Sequence, residues 1–210
     1  MSYNFPPKDK NGNLKNFEHD ITFVTRTKKN DASTGFCKDL TDQVRVQDLD
    51  AIKDEWSLFR VPTEHGARLC SADCYYKATN GFHYFIEFKN ASREGLESSS
   101  EDGIPFPVSL MRKAVDSLGL AGMTLLQQET GKSIQDKAVY FVVYRASARD
   151  TLGALELNEQ LTTLAGGRDP EFRLHPIMWS LDKLRESGLY CKVHTLPDNV
   201  FIPWAKVNLK

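Results

Sequence analysis

A chain of 210 residues with 40% hydrophobic and 26% charged residues is long enough for one sizeable core and is composed like a globular domain. With 27 Lys and Arg against 28 Asp and Glu, the formal net charge is -1. This excludes a global basic field, so any contact with nucleic acid has to come from a local patch. No apolar run approaches the roughly 18 residues of a membrane span. The N-terminal MSYNFPPKDKNGN lacks the apolar centre of a signal peptide, so a cytoplasmic location is expected.

Residues 1 to about 20 are polar and broken by Pro6, Pro7 and Gly12, the pattern of a flexible arm, and 21–210 read as a single domain. Ile21 to Thr25 alternates well enough for a short strand, and KKNDASTG from Lys28 to Gly35 is a loop. Val46 to Phe59 places Leu49, Ile52, Trp56 and Phe59 at helical spacing with acids on the other side, which predicts a helix. Phe59 to Pro62 suits a brief strand and Thr63 to Arg68 a connecting loop.

Leu69 to Asn90, LCSADCYYKATNGFHYFIEFKN, has the form of a β-hairpin. Two aromatic-rich arms flank Thr79-Asn80-Gly81, a three-residue loop with Gly where a left-handed residue is wanted. If Ala78 pairs with Phe82, then Asp73 falls opposite Glu87, and Lys89 lies two residues further on the same face. The even positions Cys70, Ala72, Cys74, Tyr76 and Ala78, with Phe82, Tyr84, Ile86 and Phe88, form a small or apolar face suited to burial. A slip of one residue sends Asp73 to the opposite face from Glu87. Paired carboxylates repel and lose solvation, so they call for a cation, and Mg²⁺ or Mn²⁺ is the hard, oxygen-seeking candidate. Lys89 supplies a positive charge suited to orienting an attacking water or stabilising a pentavalent phosphate.

Asp73, a spacer, and then Glu87-Phe88-Lys89 in an apolar strand resemble the PD-(D/E)xK nucleases, the restriction-endonuclease-like superfamily, with Ala72 where that motif has Pro. The resemblance covers about residues 46 to 145. It implies an α/β fold with an αβββαβ core, a central mixed sheet flanked by helices, and a C-terminal α+β elaboration over 146–210. It also implies that Asp73, Glu87 and the Phe88 backbone carbonyl hold Mg²⁺ or Mn²⁺ while Lys89 assists water attack. Some relatives add an acidic metal ligand on or just after the first helix, for which Glu55 and Glu64 are the candidates. Basic residues on the helix after the Glu-x-Lys strand often reach the active centre in that superfamily, which points to Arg112 and Lys113. These two differ by about 100° around the axis, so at most one is expected to face inward.

Ala91 to Gly103, acidic and serine-rich, reads as a flexible loop. Val108 to Leu126 carries an apolar stripe through Leu110, Met111, Ala114, Val115 and Leu118, predicting a helix packed on the sheet. Ala138 to Arg145, AVYFVVYR, is a continuous β-branched and aromatic run, hence a strand buried on both faces. Beyond it, Thr151 to Leu164 and Pro176 to Glu186 suit helices, Leu189 to Thr195 a strand, and Val200 to Val207 a strand broken by Pro203. Arg168, Arg173, His175, Lys183 and Arg185 give this part a basic bias open to phosphate contact or to simple solvation. The four cysteines, Cys37, Cys70, Cys74 and Cys191, form no CxxC pair and are expected as buried thiols.

Two functions follow. One is metal-dependent hydrolysis of phosphodiester bonds in nucleic acid, DNA favoured. The other is a non-catalytic interaction protein that keeps the fold, an immunity or antitoxin-like partner or a subunit of a defence system, for which the near-neutral charge and the acidic 91–103 segment speak.

Overall fold

The computed structural model describes residues 6, 8, 10–25, 40, 44–55, 69–91, 100, 101, 104–126, 134–146 and 176–209. The features expected at 28–35, 59–68 and 151–164, most of the serine-rich 91–103 segment, and Glu64, Cys37, Arg168, Arg173 and His175 lie outside the described residues.

In chain order the elements are β1 (Glu18–Asp20), α1 (Ile21–Val24), β2 (Arg45–Asp48), α2 (Leu49–Glu55), β3 (Cys74–Lys77), β4 (His83–Lys89), the short pair β5 (Ser100–Glu101) and β6 (Ile104–Pro105), α3 (Phe106–Met123), β7 (Ala138–Tyr144), α4 (Pro176–Glu186), β8 (Lys192–Pro197) and α5 (Asp198–Asn208). Six strands form one sheet in the order β1-β2-β3-β4-β7-β8. The first three junctions are antiparallel and the last two parallel. Parallel neighbours cannot be joined by a tight turn. Accordingly α3 lies in the connection from β4 to β7, and α4 in that from β7 to β8. The sheet is therefore mixed, with helices on both sides.

The AVYFVVY run forms β7, and all seven of its residues are buried, as a strand covered on both faces requires. One face, carrying Tyr75, Phe85, Tyr140 and Val142, packs with Leu49 and Ile52 of α2, Leu110, Ala114, Leu120 and Ala121 of α3, and Leu181 and Leu184 of α4. The other, carrying Cys74, Tyr84, Ile86, Phe88, Phe141 and Val143, packs with Ile21 and Val24 of α1 and Val200, Phe201 and Ala205 of α5. The hairpin alternation thus separates two cores rather than a core from solvent. β4 is buried at six of its seven positions, odd and even alike.

Three expected elements are corrected. Ile21–Val24 is one turn of helix and not a strand. Its β-branched residues favour extension, but a helical turn places Ile21 and Val24, three apart, on one side, and both are buried in the same core. The helix expected from Val46 begins at Leu49, because Arg45–Asp48 pairs with β1 and β3 and the Asp48 carboxylate accepts the Ala51 N–H at 2.8 Å, an N-cap contact. The segment Val200 to Val207 is helical despite Pro203. Its buried positions Val200, Phe201 and Ala205 recur at helical spacing, and Trp204 stacks at a tilt on Phe141 with centroids 4.6 Å apart. Glu18–Asp20, at the end of the expected arm, forms the edge strand, and the preceding Phe17 is buried.

Candidate functional site

The hairpin pairs Cys74 with Ile86, Tyr75 with Phe85, Tyr76 with Tyr84 and Lys77 with His83. It is closed by Ala78 N–H to the Phe82 carbonyl at 2.9 Å, with Gly81 at φ 84°. This is the expected register, and continued by one step it sets Asp73 across from Glu87. Because Ala78 N–H bonds the Phe82 carbonyl across the hairpin, the alternating pattern makes 73 and 87 a non-hydrogen-bonded pair, in which side chains stand closest.

Main-chain pairing stops there. The next ladder bond would join Phe88 N–H to the Ala72 carbonyl. Instead Phe88 N–H donates to Asp73 Oδ2 at 2.6 Å, and Ala72 N–H donates to Ser117 Oγ on α3 at 2.6 Å. In a strand, the N–H and C=O of one residue point to the same edge. The Phe88 carbonyl is thus directed to the side on which Asp73 lies.

Glu87 is 1% exposed, which rules out a solvated face for this residue. Lys89 and Lys113 both bond its Oε1, at 2.9 and 2.8 Å. Glu87 Oε2 is buried and has no hydrogen-bond partner among the described residues. Lys89 also lies over the Phe106 ring, 5.0 Å from its centroid, at the start of α3. Of the two basic candidates on α3, Lys113 faces inward, while Arg112 pairs with Asp116 at 3.7 Å one turn along.

The acid of α2 that belongs to this group is Asp50, not Glu55. Asp50 Oδ1 accepts hydrogen bonds from Lys53 at 2.6 Å and from the Ser71 hydroxyl at 2.7 Å, and it interacts electrostatically with Asp73 and Lys113. Glu55, at the other end of α2, pairs with Lys15 at 2.5 Å and borders a cleft formed with Leu14, Phe17 and His19. The signal that identifies Asp50 is the cap. With Asp48 starting the helix, Asp50 stands in its first turn, and Leu49 N–H bonds the Asp73 carbonyl at 3.2 Å.

These contacts set the charges. Burial, then the neighbouring Glu87, holds the Asp73 carboxyl well above the ordinary carboxylate range, with the Phe88 N–H and Lys113 opposing. Burial also works to raise Asp50, but the Lys53 and Ser71 hydrogen bonds and the Lys53 and Lys113 charges outweigh it, so Asp50 lies below its ordinary value.

His83, on the same face of β4, is buried and shares a 2.8 Å hydrogen bond with the Tyr75 hydroxyl, away from the carboxylates. Lys183 and Arg185 pair on the surface of α4 with Glu186 and Asp182. Cys74 is buried, whereas Cys70 and Cys191 are partly exposed.

Among the described residues no group of three or more His, Cys, Asp and Glu side chains is placed to hold a metal. Asp73 and Glu87 supply two carboxylates, one with an unpartnered buried oxygen. That suits Mg²⁺, which is commonly held by one or two carboxylates and keeps several waters. No described helix is long and apolar enough to cross a membrane. Comparison with protein-family models, curated proteins and solved structures returns no match.

Proposed function

We propose that the chain hydrolyses phosphodiester bonds in nucleic acid, with DNA as the favoured substrate and Mg²⁺ or Mn²⁺ as cofactor, through a PD-(D/E)xK-type site on a restriction-endonuclease-like core. The observation that carries this reading is the orphaned Glu87 Oε2. A buried carboxylate oxygen without a partner is costly, and a bound divalent cation would remove that cost.

Asp73, Glu87 and the Phe88 carbonyl are the groups that would hold the ion, with Asp50 as the neighbouring acid. The bound ion supplies Lewis-acid polarisation of a phosphoryl oxygen and acidifies water. Lys113 holds Glu87 Oε1 at 2.8 Å and fixes the position of that carboxylate. Lys89, tethered to the same oxygen and partly exposed, is the cation that orients the attacking water and meets the charge developing on phosphorus. The core reading draws support from α2, β3, β4, α3 and β7 in that order, although the strand flanking β3 on its outer side, β2, precedes α2 in the chain.

A second reading, a non-catalytic protein of this fold that binds a protein partner, is favoured by one observation: two lysines already compensate Glu87. Incubating the purified protein with mixed DNA and RNA in Mg²⁺ and in Mn²⁺ separates the two. Cleavage that disappears in Asp73→Ala supports the nuclease. A silent wild type that also binds no Mn²⁺ by calorimetry removes it.

A further inference from the structure

Ser117 lies on the buried side of α3 and is 0% exposed. Its hydroxyl donates to the Lys113 carbonyl at 2.6 Å and accepts the Ala72 N–H at 2.6 Å. Both roles use the one donor and the acceptor capacity of a serine. Ala72 immediately precedes Asp73, and Lys113 is the residue whose ammonium reaches Glu87. A single hydroxyl therefore joins the main chain next to one carboxylate to the main chain behind the partner of the other.

The same contact ends the β3–β4 ladder. By the pairing of Cys74 with Ile86, Ala72 and Phe88 are the next hydrogen-bonded pair. Ser117 draws the Ala72 N–H toward α3, and the Phe88 N–H is bonded by Asp73 Oδ2 instead of by the Ala72 carbonyl. One residue along the helix, Asp116 Oδ2 accepts the Cys70 N–H at 2.8 Å, which holds the preceding part of the same segment against α3.

We infer that Ser117 is a positioning residue for the cation site: by diverting Ala72 from the ladder it turns the Asp73 carboxylate onto Phe88 N–H and fixes it beside Glu87, and Asp116 assists through Cys70. The part that concerns the cation rests on the function proposed above. The part that concerns Asp73 does not.

The test uses the full chain in three variants, Ser117→Ala, Ser117→Thr and Asp116→Ala, with two readouts. In Ser117→Ala the pair Ala72 and Phe88 closes, Asp73 loses its donor, and the Phe88 amide proton moves out of the downfield position expected for its short bond to Asp73 Oδ2. Affinity for Mn²⁺ by calorimetry falls by about 10–100-fold, the range for removing a group that orients a metal ligand. Ser117→Thr, which keeps the hydroxyl, restores both readouts. Asp116→Ala, at a partly exposed position, shifts both in the same direction by less, and it carries the test if Ser117→Ala does not fold. An unchanged Phe88 amide in the alanine variants overturns the inference. Loss of Mn²⁺ binding in the wild type itself, with the amide shift still responding to Ser117→Ala, overturns the cation reading and leaves the positioning role standing.

Discussion

Lys89 and Lys113, one from the end of β4 and one from the third turn of α3, converge on a single oxygen of Glu87 at 2.9 and 2.8 Å. The carboxylate is 1% exposed, while the two lysine side chains retain 17% and 16% of their exposure. The acid thus depends on its partners for solvation more than they depend on it.

Glu87→Gln removes the charge on which two partly buried ammonium groups converge. The expected cost is about 2–3 kcal/mol, below the ~3–5 kcal/mol typical when a fully buried pair loses a member, because the lysines still reach water. Lys113→Met alone is expected to cost less, since Lys89 remains on the same oxygen. Urea denaturation of the two variants and their combination measures both values, and additive losses would show that the pair is not coupled.

Asp73 gives a pH dependence of definite sign. Its folded-state carboxyl is raised, by burial first and then by Glu87. Stability from the protonated form is fully present below the ordinary carboxyl range and is lost as pH rises through the raised value. Asp73→Asn keeps an acceptor for Phe88 N–H and cannot ionise. It is therefore expected to melt above the wild type at pH 8 in chelator and to show a flatter profile from pH 4 to 8. A wild type that gains stability relative to Asp73→Asn over that range would contradict the assigned shift.

The register of the hairpin is legible because several independent signals agree: the Thr79-Asn80-Gly81 turn, the apolar even positions, and the acids at 73 and 87. What alternation cannot reveal is how many layers cover a sheet. It sorts side chains into two faces, and only the placement of α3 and α4 shows that the face with Glu87 is also a core. Propensity misleads at Val200 to Val207, where β-branched and aromatic residues and Pro203 suggest a broken strand. The burial of Val200, Phe201 and Ala205 against Phe88 and Phe141 stabilises a helix there. Asp50 is missed for a related reason, since its relevance depends on where α2 starts, and Asp48 is both a strand residue and the cap.

Divalent cations are expected to raise the melting temperature of the wild type at pH 7.5. A ligand that binds only the folded state at 100 times its dissociation constant adds about 2.7 kcal/mol. Asp73→Ala should lose the effect, and Glu55→Ala, whose carboxylate is turned to Lys15, should retain it. Thermal scans in EDTA, Mg²⁺ and Mn²⁺ decide this. An equal response in wild type and Asp73→Ala would locate the ions elsewhere on the chain.

Lys89→Ala separates an enzyme from a binding module. Its ammonium is held by Glu87 and the Phe106 ring, with Lys113 remaining to compensate the acid when it is removed. The fold and Mn²⁺ binding are therefore expected to survive, with a stability loss of about 1 kcal/mol, near the upper end for a partly solvated pair. In the nuclease reading, cleavage of plasmid or single-stranded substrate falls by about 10²–10³-fold, the scale for deleting one preorganised electrostatic group. Lys113→Ala, by contrast, acts through Glu87 and should weaken Mn²⁺ binding together with cleavage. Single-turnover rates at saturating Mn²⁺ distinguish the two: a Lys89→Ala enzyme as fast as wild type would assign the nuclease activity to a contaminant or to another part of the chain.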